Sequence, residues 1–282
     1  MINNIGIIGG TGQMGQMFNR HFKKIGKTVR ISDENTQSDE KDLVLNSELI
    51  IVSVPIDLTA VVVKRIKPWL KKDQLLSDFT SVKNKAIPAM IETDAAVVSC
   101  HPVFGGMENI SGQNIVLLPV APGKFLAKYK RLYQQLDLNV IIMDDWKKHD
   151  ESMSFIQGLM HFQHIVFTQT LKAKNVDLET ILSMCSPVYQ ANFAFACRII
   201  QRDPHLYTHI LMDNPENVQV LSKFIDEASK SLKLIQKKDE QAFQNNFLGY
   251  REYLGKYGAD FNEQSEYLVN KLREYNQNKD QE

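Results

Sequence analysis

Apolar residues fall into two rhythms along this chain, and the change comes near residue 147. Before it, short apolar runs of strand length alternate with amphipathic stretches of helix length. Ile5, Ile7 and Ile8 read as a first buried strand and 28–31 as a second. Leu49-Ile-Ile-Val-Ser-Val-Pro55 reads as a third, ended by proline, and 74–77, 95–99, 115–120 and 140–143 continue the series. Helices are predicted over 14–25, 58–70, from about Asn84, and over 124–136. Alternating strands and helices of this kind build a doubly wound, mostly parallel sheet with helices on both faces. From Lys147 onward apolar residues recur at three- and four-residue spacing through 150–171, 176–202, 214–237, 239–256 and 262–276. The second half is therefore expected to be all helical, with breaks at Ser186-Pro187, Asp203-Pro204 and Asn214-Pro215. The expected organisation is an α/β fold, with a sheet domain over 1–146 and a helical domain over 147–282.

The first strand runs into Gly10-Thr11-Gly12-Gln13-Met14-Gly15, which fits G-x-G-x-x-G in its required strand-turn-helix setting. In this reading Gly10 permits the tight turn, Gly12 lets a pyrophosphate approach the backbone, and Gly15 lets the helix pack on the strand. The helix N-terminus then faces the phosphates. Asp33, at the end of the second strand, stands where a carboxylate would accept hydrogen bonds from a ribose and repel a 2′-phosphate, which favours NAD over NADP. The first domain is thus expected to be a Rossmann-type NAD-binding domain. Ser53, Val54 and Pro55 close the third strand at the same sheet edge and are placed beside the cofactor.

Lys+Arg and Asp+Glu are equal at 33 each, so no overall field draws the chain to nucleic acid or to an anionic membrane. No apolar run reaches the roughly 18 residues of a membrane span, and the chain goes almost at once into its first strand, which points to a cytoplasmic protein. Cys100, Cys185 and Cys197 are odd in number, lack CxxC spacing and lie in apolar runs, so reduced core thiols and no metal site are expected.

Several polar residues stand where a sheet edge or an apolar helix makes them conspicuous. His101 follows the strand 95–99 at the carboxyl edge of the sheet, where it can face the cofactor. Gln157 and His161 are four apart and share a helix face, with Asp150 and Ser154 about a turn above them. Arg198 ends a strongly apolar stretch, where a guanidinium could grip a carboxylate with two parallel bonds.

Together the glycine loop Gly9-Gly-Thr-Gly-Gln-Met-Gly15, Asp78-Phe-Thr-Ser-Val-Lys83, His101-Pro-Val-Phe-Gly105, His149-Asp150, Phe155-Ile-Gln-Gly-Leu-Met-His-Phe162, Ser186-Pro-Val-Tyr189 and Arg198 resemble prephenate dehydrogenase. The similarity is closest to the dehydrogenase portion of the bifunctional chorismate mutase/prephenate dehydrogenases. The resemblance implies NAD-dependent oxidative decarboxylation of prephenate to 4-hydroxyphenylpyruvate in tyrosine biosynthesis. It makes His101 the group that accepts the ring hydroxyl proton, and it makes Ser81 the residue that orients this histidine and touches nicotinamide and substrate. It gives Arg198 the ring carboxylate, and sets His161, Gln157, His149 and Lys83 around the substrate. It also implies a homodimer built on the helical domain, and tyrosine as a feedback inhibitor. Gln190 and Gly106 depart from the family pattern, which often has arginine and proline there, respectively. Arogenate or cyclohexadienyl dehydrogenase is the near alternative, and a non-catalytic NAD- and tyrosine-binding regulator is the alternative from another class.

Overall fold

The computed structural model describes residues 1–34, 36 and 38–279, so the polar stretch over 34–42 lies partly outside the described residues. Seven strands form one sheet: β1 (Asn4–Ile8), β2 (Thr28–Ser32), β3 (Leu49–Val52), β4 (Leu75–Asp78), β5 (Ala96–Pro102), β6 (Asn114–Ala121) and β7 (Asn139–Ile142). Their order is β2-β1-β3-β4-β5-β6-β7. Every pairing is parallel except β5 with β6, which is antiparallel and carries a register shift between Val97 and Ser99. Chain order reverses direction across β1, so the crevice beyond the carboxyl ends of β1 and β3 is the topological switch point.

The apolar runs are continuous because both faces of the sheet are covered. Ile5, Ile7, Leu49, Ile51, Leu75, Val98 and Cys100 enter one core with Phe18, Phe22, Tyr129 and Tyr133. The intervening Ile8, Ile50, Val52, Leu76 and Val97 enter another with Val62, Val63, Ile66 and Met90. Each fully buried Leu or Ile in such a run contributes about 1.5–3 kcal/mol.

Six helices belong with these strands: α1 (Gln13–Lys24), α2 (Glu40–Leu45), α3 (Ile56–Ile66), α4 (Ala86–Ile91), α5 (Leu126–Gln134) and α6 (Trp146–Met153). A π-helical turn at Ser154–Leu159 follows. Beyond it come α7 (Met160–Ala173), α8 (Leu178–Met184), α9 (Pro187–Ile200), α10 (Pro204–Met212), α11 (Glu216–Lys237), α12 (Glu240–Leu254) and α13 (Lys256–Lys279). Proline opens α9 and α10, where its missing N–H would be unpaired anyway.

The chain forms two compact units, one of Met1–Ile156 with His205–Asn217, the other of Gln157–Pro204 with Val218–Glu282. The expected change at Lys147 falls within α6, and α10 returns to the sheet unit, where Tyr207 and Ile210 pack with Ile56 and Val82. No helix among the described residues is long and apolar enough to cross a membrane.

Two expectations are corrected here. Cys100 is buried, but Cys185 is only half-buried and Cys197 is exposed, because α8 and α9 turn those positions outward; all three are free thiols. Helix α10 was not among the predicted stretches, since its nine residues sit between two proline breaks and are too short for periodicity to register.

Candidate active site

The glycine turn lies at the switch point, and a glycine just before the expected three shares the work. Gly9, not Gly10, takes the left-handed conformation, with φ of 81°. A Cβ on Gly9 would also lie 2.3 Å from the Ser53 carbonyl oxygen, so the ends of β1 and β3 approach as only glycine allows. A Cβ on Gly10 would strike Ile31, and one on Gly15 would come within 2.4 Å of the Gly9 carbonyl, which is the close helix-to-strand packing expected of Gly15. Gly12 is the N-cap of α1 and offers no side chain, and the helix has no acid in its first turn. Its leading N–H groups, around exposed Thr11, Gly12 and Gln13, thus suit a phosphate; Met14 packs inward against the core.

Asp33 is anchored beside this turn. Its Oδ2 accepts from Thr11 N at 3.1 Å and from Thr11 Oγ1 at 2.5 Å. A carboxylate fixed against the phosphate turn, with Ser53, Val54 and Pro55 partly open at the end of β3, fits the diphosphate and ribose of a dinucleotide. Gly106 belongs to the same edge, because a Cβ there would run into the Gln13 side chain.

Two carboxylates organise the chemistry at the ends of β4 and β5. Asp78 ends β4 and is fully buried; its Oδ2 accepts from Lys83 Nζ at 2.7 Å, and its Oδ1 from Ser99 Oγ at 2.5 Å. Lys83 Nζ donates again to the Cys100 carbonyl at 2.8 Å. Lys83 was expected near the substrate; its ammonium is instead wholly buried between β4 and β5 because the Asp78 charge would otherwise stand unpaired. Its backbone N–H faces the other way, toward Asp150, whose two oxygens it meets at 3.1 Å each; Asn84 N adds a bond at 3.0 Å.

Asp150 is held by α6, which Asp145 caps by accepting from Lys147 N and Lys148 N. Asn214 Nδ2 donates to the Asp150 carbonyl at 2.7 Å. From Asp150 a line of side chains runs to the sheet edge: its Oδ1 lies 3.0 Å from His149 Nδ1, and His149 Nε2 lies 2.9 Å from His101 Nδ1. These bonds fix both rings. Asp150 already accepts two backbone N–H groups, so His149 donates from Nδ1 and accepts at Nε2, and His101 donates from Nδ1. The lone pair of His101 then resides on Nε2, the form a proton acceptor needs. Burial pushes the His101 imidazole well below its usual range, helped by the charges of His149 and Lys83, so it is neutral at neutral pH. Burial likewise lowers His149, against the pull of Asp150.

His149 was expected to bind substrate. With both ring nitrogens engaged inside the protein and no exposure, it can reach the substrate only through His101. Ser81, also expected here, is buried in the loop after β4. Asp150 and Asp78 are residues of this cluster to which the sequence reading gave no role, although Asp78 opens the quoted segment 78–83 and Asp150 stands beside His149.

The remaining expected residues lie in the helical unit. Gln157 falls in the π-helical turn that precedes α7, four residues before His161. His161, on α7, is lowered to about 4 by burial and by His164. His164 itself donates from Nδ1 to the Met160 carbonyl at 2.8 Å. Arg198 is exposed on α9 and makes no ion pair among the described residues. Gln190, one of the two departures, exchanges amide hydrogen bonds with Asn276 of α13.

Known proteins show matching features. The family described as prephenate dehydrogenase, nucleotide-binding domain, matches residues 15–142, and that described as prephenate dehydrogenase, dimerization domain, matches 145–248. The chain is similar to the T-protein of Haemophilus influenzae, with 30% identity over 98% of this chain and 74% of that protein. It is also similar to a probable arogenate/prephenate dehydrogenase of Methanocaldococcus jannaschii, with 31% identity over 85% of this chain and 58% of that protein. The fold is that of the prephenate dehydrogenase of Aquifex aeolicus solved with hydroxyphenyl propionate and NAD+. The TM-score is 0.74 at 19% identity, over 90% of this chain and 97% of that one.

Proposed function

This chain belongs to the prephenate dehydrogenase family, and from that premise we propose that it converts prephenate to 4-hydroxyphenylpyruvate by oxidative decarboxylation in tyrosine biosynthesis. It is an NAD-dependent oxidoreductase. The observation that carries our assignment of roles is the line Asp150–His149–His101, which leaves His101 Nε2 as the acceptor.

Bound NAD supplies the hydride acceptor. His101 Nε2 takes the proton of the ring hydroxyl as the carbon bearing it is oxidised, and the positive charge that forms on the imidazole is shared through His149 with Asp150. Loss of the ring carboxylate as carbon dioxide leaves a phenolate, to which Nε2 returns the proton, so the reaction is balanced without net proton release. Because His101 is neutral well below pH 6.5, the base is ready across the neutral range.

Ser81 orients the reacting groups beside His101. Arg198 pairs with a substrate carboxylate, which suits a guanidinium that has no ion pair among the described residues, and His161 with Gln157 positions the rest of the substrate. Gly10, Thr11, Gly12, Gln13, Met14 and Gly15 receive the diphosphate, with Asp33 on the ribose and Ser53, Val54 and Pro55 beside the bound nucleotide. Lys83 acts through Asp78 and through the potential it places on His101. The working form is a cytoplasmic homodimer through residues 145–248, and tyrosine is its feedback inhibitor.

The test is initial rate with NAD against prephenate and arogenate side by side, with and without tyrosine. A high kcat/KM for prephenate alone supports the reading. Comparable or better use of arogenate transfers it to the arogenate or cyclohexadienyl enzymes; the Methanocaldococcus jannaschii relative carries both substrates in its name. Turnover of neither sinks it and leaves an NAD- and tyrosine-binding regulator.

A further inference from the structure

Away from the relay, three side chains of the sheet unit converge at the first turn of α3. His205 and His209 stand four residues apart on α10, with ring centroids 4.4 Å apart. Asp57, the second residue of α3, faces both. Its Oδ2 is 3.8 Å from His205 Nε2 and its Oδ1 is 3.9 Å from His209 Nε2. The three donor atoms lie within 4.8 Å of one another. Those separations are too long for hydrogen bonds. The two carboxylate-to-imidazole separations exceed by about half an ångström the roughly 3.4 Å between ligand atoms of a tetrahedral zinc with bonds of about 2.0–2.1 Å, a gap that rotation of exposed His205 and of the Asp57 carboxylate can close.

The surroundings are those of a ligand platform. His209 Nδ1 bonds Asp213 Oδ2 at 2.8 Å, which turns Nε2 toward Asp57 with its lone pair outward. A carboxylate behind a histidine in this way orients metal-bound imidazoles in general. Asp213 is itself fixed: Lys85 Nζ meets its carboxylate at 2.7 Å, and Asn84 Nδ2 donates to its carbonyl at 2.9 Å. The helix carrying both histidines is held by Ile210 against Ile56 and Val82, and by Asn217 Nδ2 on the Ile210 and Leu211 carbonyls.

We propose that Asp57, His205 and His209 form a divalent-metal site that clamps α10 to the start of α3, with Asp213 as its positioning residue. Two imidazoles and one carboxylate are a borderline ligand set that suits zinc, and the half-exposed position leaves the fourth place to water. The expectation of no metal site rested on cysteine number and spacing and could not register this cluster, since Asp57 is remote in sequence from the histidine pair.

The experiment is titration of chelator-treated protein with Co2+, read by its visible absorption, followed by displacement with Zn2+ and by calorimetry with Zn2+ alone. One equivalent per chain is expected, with the intense visible band of four-coordinate cobalt. With free Zn2+ at about 100 times Kd, the folding equilibrium shifts about a hundredfold toward the folded state. His205→Ala with His209→Ala abolishes the band and the shift, while Asp213→Asn weakens binding by about 10–100-fold. The melting temperature of each variant without metal reports whether it still folds, and His205→Ala alone serves where the double variant does not. Absence of binding overturns the proposal, as does binding unchanged by the double variant, or a thiolate-to-cobalt band placing the ion on Cys185 or Cys197.

Discussion

The two units of this chain bury their apolar residues very differently. In the sheet unit β3 and β4 are buried at every position, and even the charged Asp78 and Lys83 are sealed inside with their partners. In the helical unit α11, α12 and α13 expose Ile225, Ile235, Phe247, Tyr253 and Phe261, with Tyr253 88% exposed. A parallel sheet covered on both faces completes its core within one chain. Long helices with exposed apolar residues do not, and such a surface is the usual mark of another surface that covers it. The sheet unit therefore supplies rigid chemistry, and the helical unit owes part of its burial to the proposed second copy.

The sharpest way to test the first half of that contrast is to disturb the relay without touching the fold. In Asp150→Asn, the amide oxygen can still accept from Lys83 N and Asn84 N, which turns the amide NH2 toward His149 Nδ1. His149 then carries its proton on Nε2 and donates to His101 Nδ1, so His101 Nε2 becomes a donor and loses its basicity. A fall in kcat of about 10²–10⁴-fold is expected, as in other wrong-tautomer variants, with NAD affinity preserved. His101→Asn should lose a comparable factor, about a hundredfold or more. Full activity in either variant would remove the relay from the mechanism.

Next in size is the buried ion pair. Lys83→Met strands the Asp78 carboxylate in the core and should lower stability by about 3–5 kcal/mol in urea unfolding. Asp78→Asn in the same chain should recover most of that loss, because a buried pair replaced on both sides is close to neutral. A small effect of the single variant would mean that the sheet unit tolerates open charge and is less tightly closed than its geometry states.

These residues also mark what could be read without the fold. The strands were legible because most carry a short apolar, β-branched run, and the glycine turn because its spacing is fixed by backbone approach. The antiparallel turn of β6 was not, since a buried strand has the same composition in either direction. That Gly9 takes the positive φ was not read, because Gly9 and Gly10 are adjacent and only the approach of Gly9 to Ser53 and of Ile31 to Gly10 tells their roles apart. His149 was visible as a site residue but not in its role, because its partner His101 lies 48 residues away and the contact exists only once α6 meets β5. Lys83 was placed at the substrate, and its burial against Asp78 was not legible because pattern alone does not show which charges face inward.

In the helical unit the effects are expected to be smaller. Arg198→Gln removes an exposed guanidinium that makes no ion pair among the described residues, so folding should be unaffected. Loss of a charge-assisted bond worth about 1.5–3 kcal/mol should raise KM for prephenate by about 10–100-fold with little change in kcat. An unchanged KM would take Arg198 out of the carboxylate role and leave it to the dimer surface.

The mildest effect should come from His161. Its imidazole is lowered to about 4 in the folded chain, by burial first and then by His164, against 6.5 when unfolded. Between those values the unfolded chain binds more protons than the folded one, so stability rises with pH across that window and is lost as pH falls through it. Above 6.5 the contribution is fully present. Denaturant midpoints followed by helical circular dichroism should therefore decline from pH 6.5 toward 4, and His161→Gln, which takes no proton, should flatten that decline. A slope left unchanged by the substitution would assign the acid response to His101 and His149 of the sheet unit, where burial lowers both imidazoles as well. The closed unit would then be the acid-sensitive one, because a core that excludes water also refuses a proton's charge.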